Sequence, residues 1–287
     1  MTALELESVS KRFDTPDGGS YRALEHVSLS VPAGAFVAIV GPSGCGKSTL
    51  LNVAAGLLTP SAGNVRVDGE ALSGLNRRAT YMFQQDALLP WKNVRENVAL
   101  GLVFAGSAAA ERNARADEWL ARVGLSAFAT HYPSQLSGGM RKRVAMAQNW
   151  IIDRPMLLMD EPFSALDVHT RQRMETELLT LWESTAEATH SLPDRSSGSA
   201  EGAKAGAPRL KKTVVFVTHD LEEAIALADE VVVLSAGPAS HIVARHPVTL
   251  DRPRDLFELR TSAAFVDLYR SLWAVLRDEV IKSQRHA

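Results

Sequence analysis

Between the apolar run Ala35 to Val40 and a helix-like stretch from Lys47 to Leu57, the chain reads Gly41-Pro42-Ser43-Gly44-Cys45-Gly46-Lys47-Ser48. Two glycines separated by four residues are followed at once by a lysine and a hydroxyl. A strand, a glycine-rich turn and a helix in that order constrain the fold more tightly than any other feature of the sequence. Glycines let backbone N–H groups turn inward around an anion, and the N-terminus of the following helix adds positive potential. The pattern suits the phosphates of a nucleotide: Lys47 reaches the β and γ phosphates, Ser48 offers its hydroxyl to Mg²⁺, and Thr49 follows in the first helical turn. Residues Gly41 to Thr49 are therefore expected to bind nucleotide, at the carboxyl edge of a parallel sheet.

A second element complements the first. Met156-Leu157-Leu158-Met159 is a strand-length apolar run that ends in Asp160-Glu161-Pro162. Alternation along a strand sends neighbouring side chains in different directions. Asp160 is expected to hold the Mg²⁺ shell while Glu161 faces the γ-phosphate and orients the attacking water, the division of labour that phosphoryl transfer requires. Val214 to Val217 is another such run, closing on Thr218-His219. Leu4 to Val9 and Asn64 to Val67 alternate apolar with polar residues and read as strands; Thr59 to Gly63 reads as a turn. Glu96 to about Ser164 reads mostly as helix, broken at Pro133 and at Gly138-Gly139, and one or two packed helices are expected beyond Pro253. From Ala186 to Pro208 the composition turns to Ser, Gly, Ala and scattered charge, which buries too little apolar surface to offset its ordering entropy; a flexible surface insertion is expected.

Composition removes several classes of function. A chain of 287 residues, 46% apolar and 22% charged, can form one large globular domain. Its longest apolar stretches fall far short of the ~18–20 residues of a membrane-spanning helix, and the acidic, alternating start is unlike a secretion signal. A net charge of −2 argues against a nucleic-acid footprint. The single cysteine, Cys45, excludes an internal disulfide, and its place beside Lys47 and a helix N-terminus predicts a reactive thiol protected by nucleotide, with a buried, inert thiol as the alternative.

Leu136-Ser137-Gly138-Gly139-Met140, continued by Arg141-Lys142-Arg143, stands about twenty residues before the paired carboxylates. This element resembles the signature of the ABC ATPases, and the resemblance extends over roughly residues 4 to 240. It implies an α/β fold: a P-loop NTPase core of the ABC ATPase type with an antiparallel β subdomain and a helical signature subdomain. The expected division is an ATPase domain at 1–245, with the helical subdomain at about 90–155 and the insertion at about 186–210, and a short helical tail at 246–287. By the same resemblance Gln84 senses Mg²⁺ and water, His219 contacts the γ-phosphate, and Phe13 stacks on adenine, with Tyr21 as the rival. Catalysis falls to Glu161, His219 and Gln84, and Mg²⁺ to Ser48, Gln84 and Asp160. Leu136 to Met140 cover the nucleotide of another subunit, and Ser164-Ala165-Leu166-Asp167 form the loop that meets it.

Phe83 to Trp91, the Met140 to Arg143 continuation and the short tail are most like the nitrate, sulfonate and taurine importer group. That likeness implies a homodimer of ATPase subunits on the cytoplasmic face of the inner membrane, using ATP and Mg²⁺. Two permease subunits dock near Gln84 to Trp91, and an extracytoplasmic binding protein acts through them. The alternatives are the ATPase of an exporter and a soluble ABC ATPase outside transport; the chain has neither the long coiled coil nor the tandem cassettes usual in the latter. Gln148-Asn149-Trp150 departs from the Arg-Ala-Leu usual in the family, and a change in helix packing is expected there.

Overall fold

The computed structural model describes residues 1–164, 166–187 and 211–286. The expected insertion, apart from its first two residues, lies outside them, as does Ala165 of the expected dimer loop.

The chain opens with two long strands, β1 (Thr2–Asp14) and β2 (Ser20–Pro32), then β3 (Phe36–Val40) and helix α1 (Lys47–Ala54). Strands β4 (Ala62–Val67), β5 (Glu70–Ala71) and β6 (Ala79–Met82) lead into helices α2 (Val94–Val98), α3 (Leu100–Phe104), α4 (Ala109–Arg122) and α5 (Gly138–Trp150). Strand β7 (Met156–Asp160), helix α6 (Val168–Glu187), β8 (Thr213–Thr218), α7 (Leu221–Leu227), β9 (Glu230–Leu234) and β10 (Ile242–Pro247) complete the core, and α8 (Leu256–Leu259) and α9 (Ala263–His286) end the chain.

Two sheets result. An antiparallel one runs β2-β1-β4-β5, and a six-stranded one runs β10-β9-β3-β8-β7-β6, parallel throughout except where β10 meets β9. Strands β3 and β7 are continuously apolar because both their faces are covered. Phe36, Ala38 and Val40 face α5, α6, α7 and α9, while Val37 and Ile39 face α1 and the antiparallel sheet. A third apolar cluster, with Val94, Val98, Leu120 and Val144, gives the α2–α5 region its own small core.

Several boundaries differ from the sequence expectation for identifiable reasons. Strand β1 extends five residues beyond Val9 because β2, unforeseen, pairs with it out to Asp14↔Ser20. Helix α1 stops at Ala54 rather than Leu57: Gly56 turns left-handed at φ +70°, where a Cβ would lie 1.9 Å from the Gly74 carbonyl oxygen. The Gln148-Asn149-Trp150 departure is absorbed within α5, where Asn149 Nδ2 donates to Ala145 O at 2.9 Å and Trp150 enters the core. The tail packs onto the core, burying Leu256, Phe265, Leu272 and Leu276 in the same cluster as Phe36 and Val214. Arg254 Nη1 donates to the carbonyls of Ala226 and Ala228 at 3.0 and 2.8 Å, satisfying the end of α7. Among the described residues no helix is long and apolar enough to cross a membrane.

Buried charge gathers where α6, α7 and the tail meet. Arg260 Nη2 lies 2.5 Å from Glu175 Oε2, and Arg171 Nη1 lies 2.8 Å from Asp220 Oδ2. Glu223, buried at 2% exposure, accepts a 2.7 Å hydrogen bond from Thr218 Oγ1. Burial pushes its carboxyl up to about 8, with the charges of Asp220 and Glu175 adding to the rise and the Thr218 bond and Arg171 opposing it. An acid whose folded pKa exceeds its unfolded one stabilises the fold fully at low pH, and that contribution is lost as pH climbs toward the folded value. Replacing Glu223 by Gln should flatten the fall in melting temperature between about pH 5 and pH 8 in thermal unfolding. Parallel melting curves for the two chains across that range would contradict the assignment.

Candidate active site

The loop between β3 and α1 is shaped by its glycines. Gly44 and Gly46 adopt φ +75° and +96°, conformations a side chain would strain, and a Cβ on Gly41 would lie 2.8 Å from Cys45 Sγ. Lys47 Nζ donates to Gly41 O at 2.8 Å and Pro42 O at 2.9 Å, so the cation is held over its own loop. Helix α1 begins at Lys47 with no acidic residue in its first turn, leaving its N-terminal potential uncancelled. The loop that follows β9 closes over this turn: a Cβ on Gly237 would lie 3.3 Å from Gly44 O and 3.5 Å from the Tyr21 hydroxyl. Neither neighbour was legible in the motif.

Parallel pairing of β7 with β8 then brings the acids to the same edge. Ser48 Oγ donates to Asp160 Oδ1 at 2.9 Å, and the Tyr81 hydroxyl donates to Asp160 Oδ2 at 3.3 Å. Burial raises the Asp160 carboxyl, against those two bonds and against Lys47; burial and the Asp160 charge raise the Tyr81 phenol as well. Glu161 points elsewhere, because the chain turns directly after β7. Its Oε2 accepts a 3.2 Å bond from Gln84 Nε2 and lies 3.4 Å from His219 Nδ1. Three residues widely separated in sequence thus meet at one oxygen atom. Glu161 also carries a strain that its sequence does not announce: its φ is +41°, left-handed for a residue with a side chain. Its amide bonds Val217 O at 3.0 Å, and its carbonyl accepts from Ser164 Oγ at 3.1 Å, which fixes the turn.

The donor set fits a small hard cation. Ser48 and Asp160 supply adjacent oxygens, and Gln84 reaches the neighbouring Glu161; a single carboxylate plus phosphate oxygens is a usual environment for Mg²⁺.

The remaining expected residues lie apart from this centre. Ser137 caps α5, accepting from Met140 N at 3.3 Å, and Ser137 and Gly138 are exposed. A Cβ on Gly139 would lie 2.6 Å from Thr170 Cγ2, so the signature helix approaches α6 closely. Among the described residues no hydrogen bond or ion pair joins Leu136–Met140 to Gly41–Thr49 of the same chain. In the expected dimer loop Leu166 is buried, and exposed Asp167 accepts from Thr170 N at 3.0 Å, capping α6. Phe13 is half-buried, with Lys11 Nζ 5.2 Å from its ring centre, and pairs across the strands with exposed Tyr21.

Residues 24–164 match the family described as ABC transporter. An uncharacterised ABC transporter ATP-binding protein of Methanocaldococcus jannaschii is 39% identical over 98% of this chain and 93% of its own length. The taurine import ATP-binding protein TauB of Rhizobium johnstonii is 40% identical over 95% of this chain and 96% of its own length. The nitrate import ATP-binding protein NrtC of Synechococcus elongatus is 37% identical over 96% of this chain and 38% of its own length. Among solved structures, a dimeric ATP-binding cassette in a post-hydrolysis state bound to ADP and phosphate superposes with a TM-score of 0.69 at 31% identity, covering 86% of this chain and all of that one.

Cys45 corrects an expectation. The residue is 1% exposed, and burial raises its thiol pKa more than Lys47 and the loop amides lower it, which favours the buried, protonated thiol over a reactive thiolate. A bulky maleimide should leave it unlabelled in the folded chain even without nucleotide and label it on unfolding. Rapid native labelling would contradict the burial.

Proposed function

The chain belongs to the ABC transporter family of ATP-binding proteins, and on that premise we propose that it hydrolyses ATP to power an importer for a small anion such as nitrate, a sulfonate or taurine. The observation that carries the reading is the meeting of Gln84, His219 and Glu161 beside the Ser48–Asp160 pair. Lys47 binds the β and γ phosphates in place of its present carbonyl partners. Glu161 orients the attacking water and receives its proton as the bond to the γ-phosphorus forms, while the bond from that phosphorus to the bridging oxygen breaks to release ADP. Gln84 and His219 hold that carboxylate and the γ-phosphate in line. Mg²⁺, held by Ser48, Asp160 and Gln84, would neutralise charge on the β and γ oxygens. Phe13 stacks on adenine.

The signature turn, Leu136 to Met140, in which Ser137 and Gly138 are exposed, closes over the nucleotide of a second copy, with the loop Ser164 to Asp167 at the same interface. Two permease subunits in the membrane, docked near Gln84 to Trp91, convert closure into movement, and an extracytoplasmic binding protein supplies the solute. The importer reading draws on the likeness to TauB and NrtC. Co-purification with its permease and stimulation of ATPase activity by the binding protein loaded with taurine, a sulfonate or nitrate tests it; a permease that moves solute outward would overturn it.

Two substitutions test the chemistry. Lys47→Ala should lower ATP hydrolysis by about 10²-fold or more, since the developing phosphate charge loses its cation; near wild-type turnover would reject the nucleotide site. Glu161→Gln keeps the shape of the side chain but not its basicity, so Mg-ATP should persist and hold two chains together, seen as a dimer by size exclusion with light scattering. Adding Ser137→Arg should abolish that dimer and leave ATP binding by the monomer intact. Wild-type hydrolysis by Glu161→Gln would remove Glu161 from its role.

A further inference from the structure

Two residues beyond Gln84, the carboxylate of Asp86 meets two cations from the first turns of α5. Arg141 Nε lies 3.1 Å from Asp86 Oδ2, and Lys142 Nζ lies 3.2 Å from Oδ1. Each cation also grips the backbone of a loop already assigned to the site. Lys142 Nζ donates to Gln84 O at 2.6 Å, and Arg141 Nη1 donates to Leu136 O at 2.8 Å. Gln84 is the residue whose side chain reaches Glu161, and Leu136 immediately precedes the exposed Ser137. The Lys142 side chain is 4% exposed, and an ammonium so deeply placed needs an anion nearby. Ala87, next in sequence, adopts φ +49°, a left-handed strain of the kind that persists only where surrounding contacts impose it.

We propose that Asp86, acting through Lys142 and Arg141, is a positioning residue that locks the Gln84 loop to the signature turn. On the shared-site reading above, Gln84 serves the nucleotide of its own subunit and Ser137 that of the partner. The cluster therefore makes the two sites answer to one rigid unit: α5 cannot shift Ser137 without carrying the Gln84 carbonyl through Lys142. Asp86 has, among the described residues, no hydrogen bond or ion pair to Lys47, Ser48, Asp160, Glu161 or His219. Its loss should slow the chemical step while nucleotide binding is retained, because the phosphate loop and Phe13 lie outside the cluster.

A double-mutant cycle on steady-state hydrolysis by the full chain tests this. Asp86→Asn and Lys142→Met should each lower kcat about tenfold, the scale of one buried charged contact, with KM and the affinity for a fluorescent ATP analogue within about twofold of wild type. The double variant should be no slower than the worse single one, and Asp86→Glu should restore most of the rate. Additive losses, or a kcat for Asp86→Asn within about twofold of wild type, would overturn the proposal. If Lys142→Met fails to fold, Arg141→Gln, at a more exposed position, replaces it in the cycle with the same expected non-additivity. Mg-ATP-dependent dimerisation of Glu161→Gln is measured alongside. A dimer there with an additive cycle counts against the cluster alone, whereas a persistent monomer counts against the shared site on which it rests.

Discussion

The register of three parallel strands fixes this active site. Val40 lies opposite Thr218 in the β3–β8 pair, and Asp160 lies opposite Val217 in the β7–β8 pair. Because the strands end together, the phosphate loop, the paired acids and His219 leave the sheet at one edge. A slip of one residue in β7 would turn Asp160 away from Ser48 and exchange the faces on which Leu157 and Leu158 are buried. The apolar packing that stabilises the fold therefore also sets the spacing of the catalytic groups, and the bond from Glu161 N to Val217 O continues that register one residue past the strand.

Beyond the strands, backbone strain and buried charge refine the arrangement. Glu161 takes a left-handed turn directly after β7, which separates its carboxylate from that of Asp160 although the two are adjacent in sequence. The separation matters electrostatically, since the like charge of Glu161 is among the influences that raise Asp160. Gln84, Lys142 and Asp86 tie the loop after β6 to α5, and Arg171 ties α6 to the His219 turn through Asp220. Each of these links joins a loop at the site to a helix, and on the proposed mechanism α5 also carries the turn that meets another subunit.

The motifs with fixed spacing were the most legible parts of the sequence. The phosphate loop, the Met156–Asp160 strand and the helix starting after Ser137 announce themselves through glycines, an apolar run closed by acids and a capping serine, all local signals. The family resemblance pointed to Gln84 and His219, and the structure brings both to Glu161. Contacts made across long sequence separations were not legible: the Tyr81 hydroxyl on Asp160, Asp86 between two cations, the turn at Gly237 over the loop, and the long pairing of β2 with β1. Cys45 failed for a related reason. Its neighbours in sequence predict a lowered pKa, and the packing of Gly41 and the β9 edge around it, invisible in the sequence, reverses the balance.

On the proposed mechanism each site is completed by two chains, with the phosphate loop of one facing the signature turn of the other. Ser43 and Ser137 are both exposed and would face each other across such an interface. Cysteines placed at these two positions in a chain that also carries Cys45→Ser and Glu161→Gln allow a direct measurement of disulfide formation. Cross-linking between chains should be rapid with Mg-ATP and slight without nucleotide. Cross-linking that proceeds at the same rate in both conditions, or only within one chain, would contradict it.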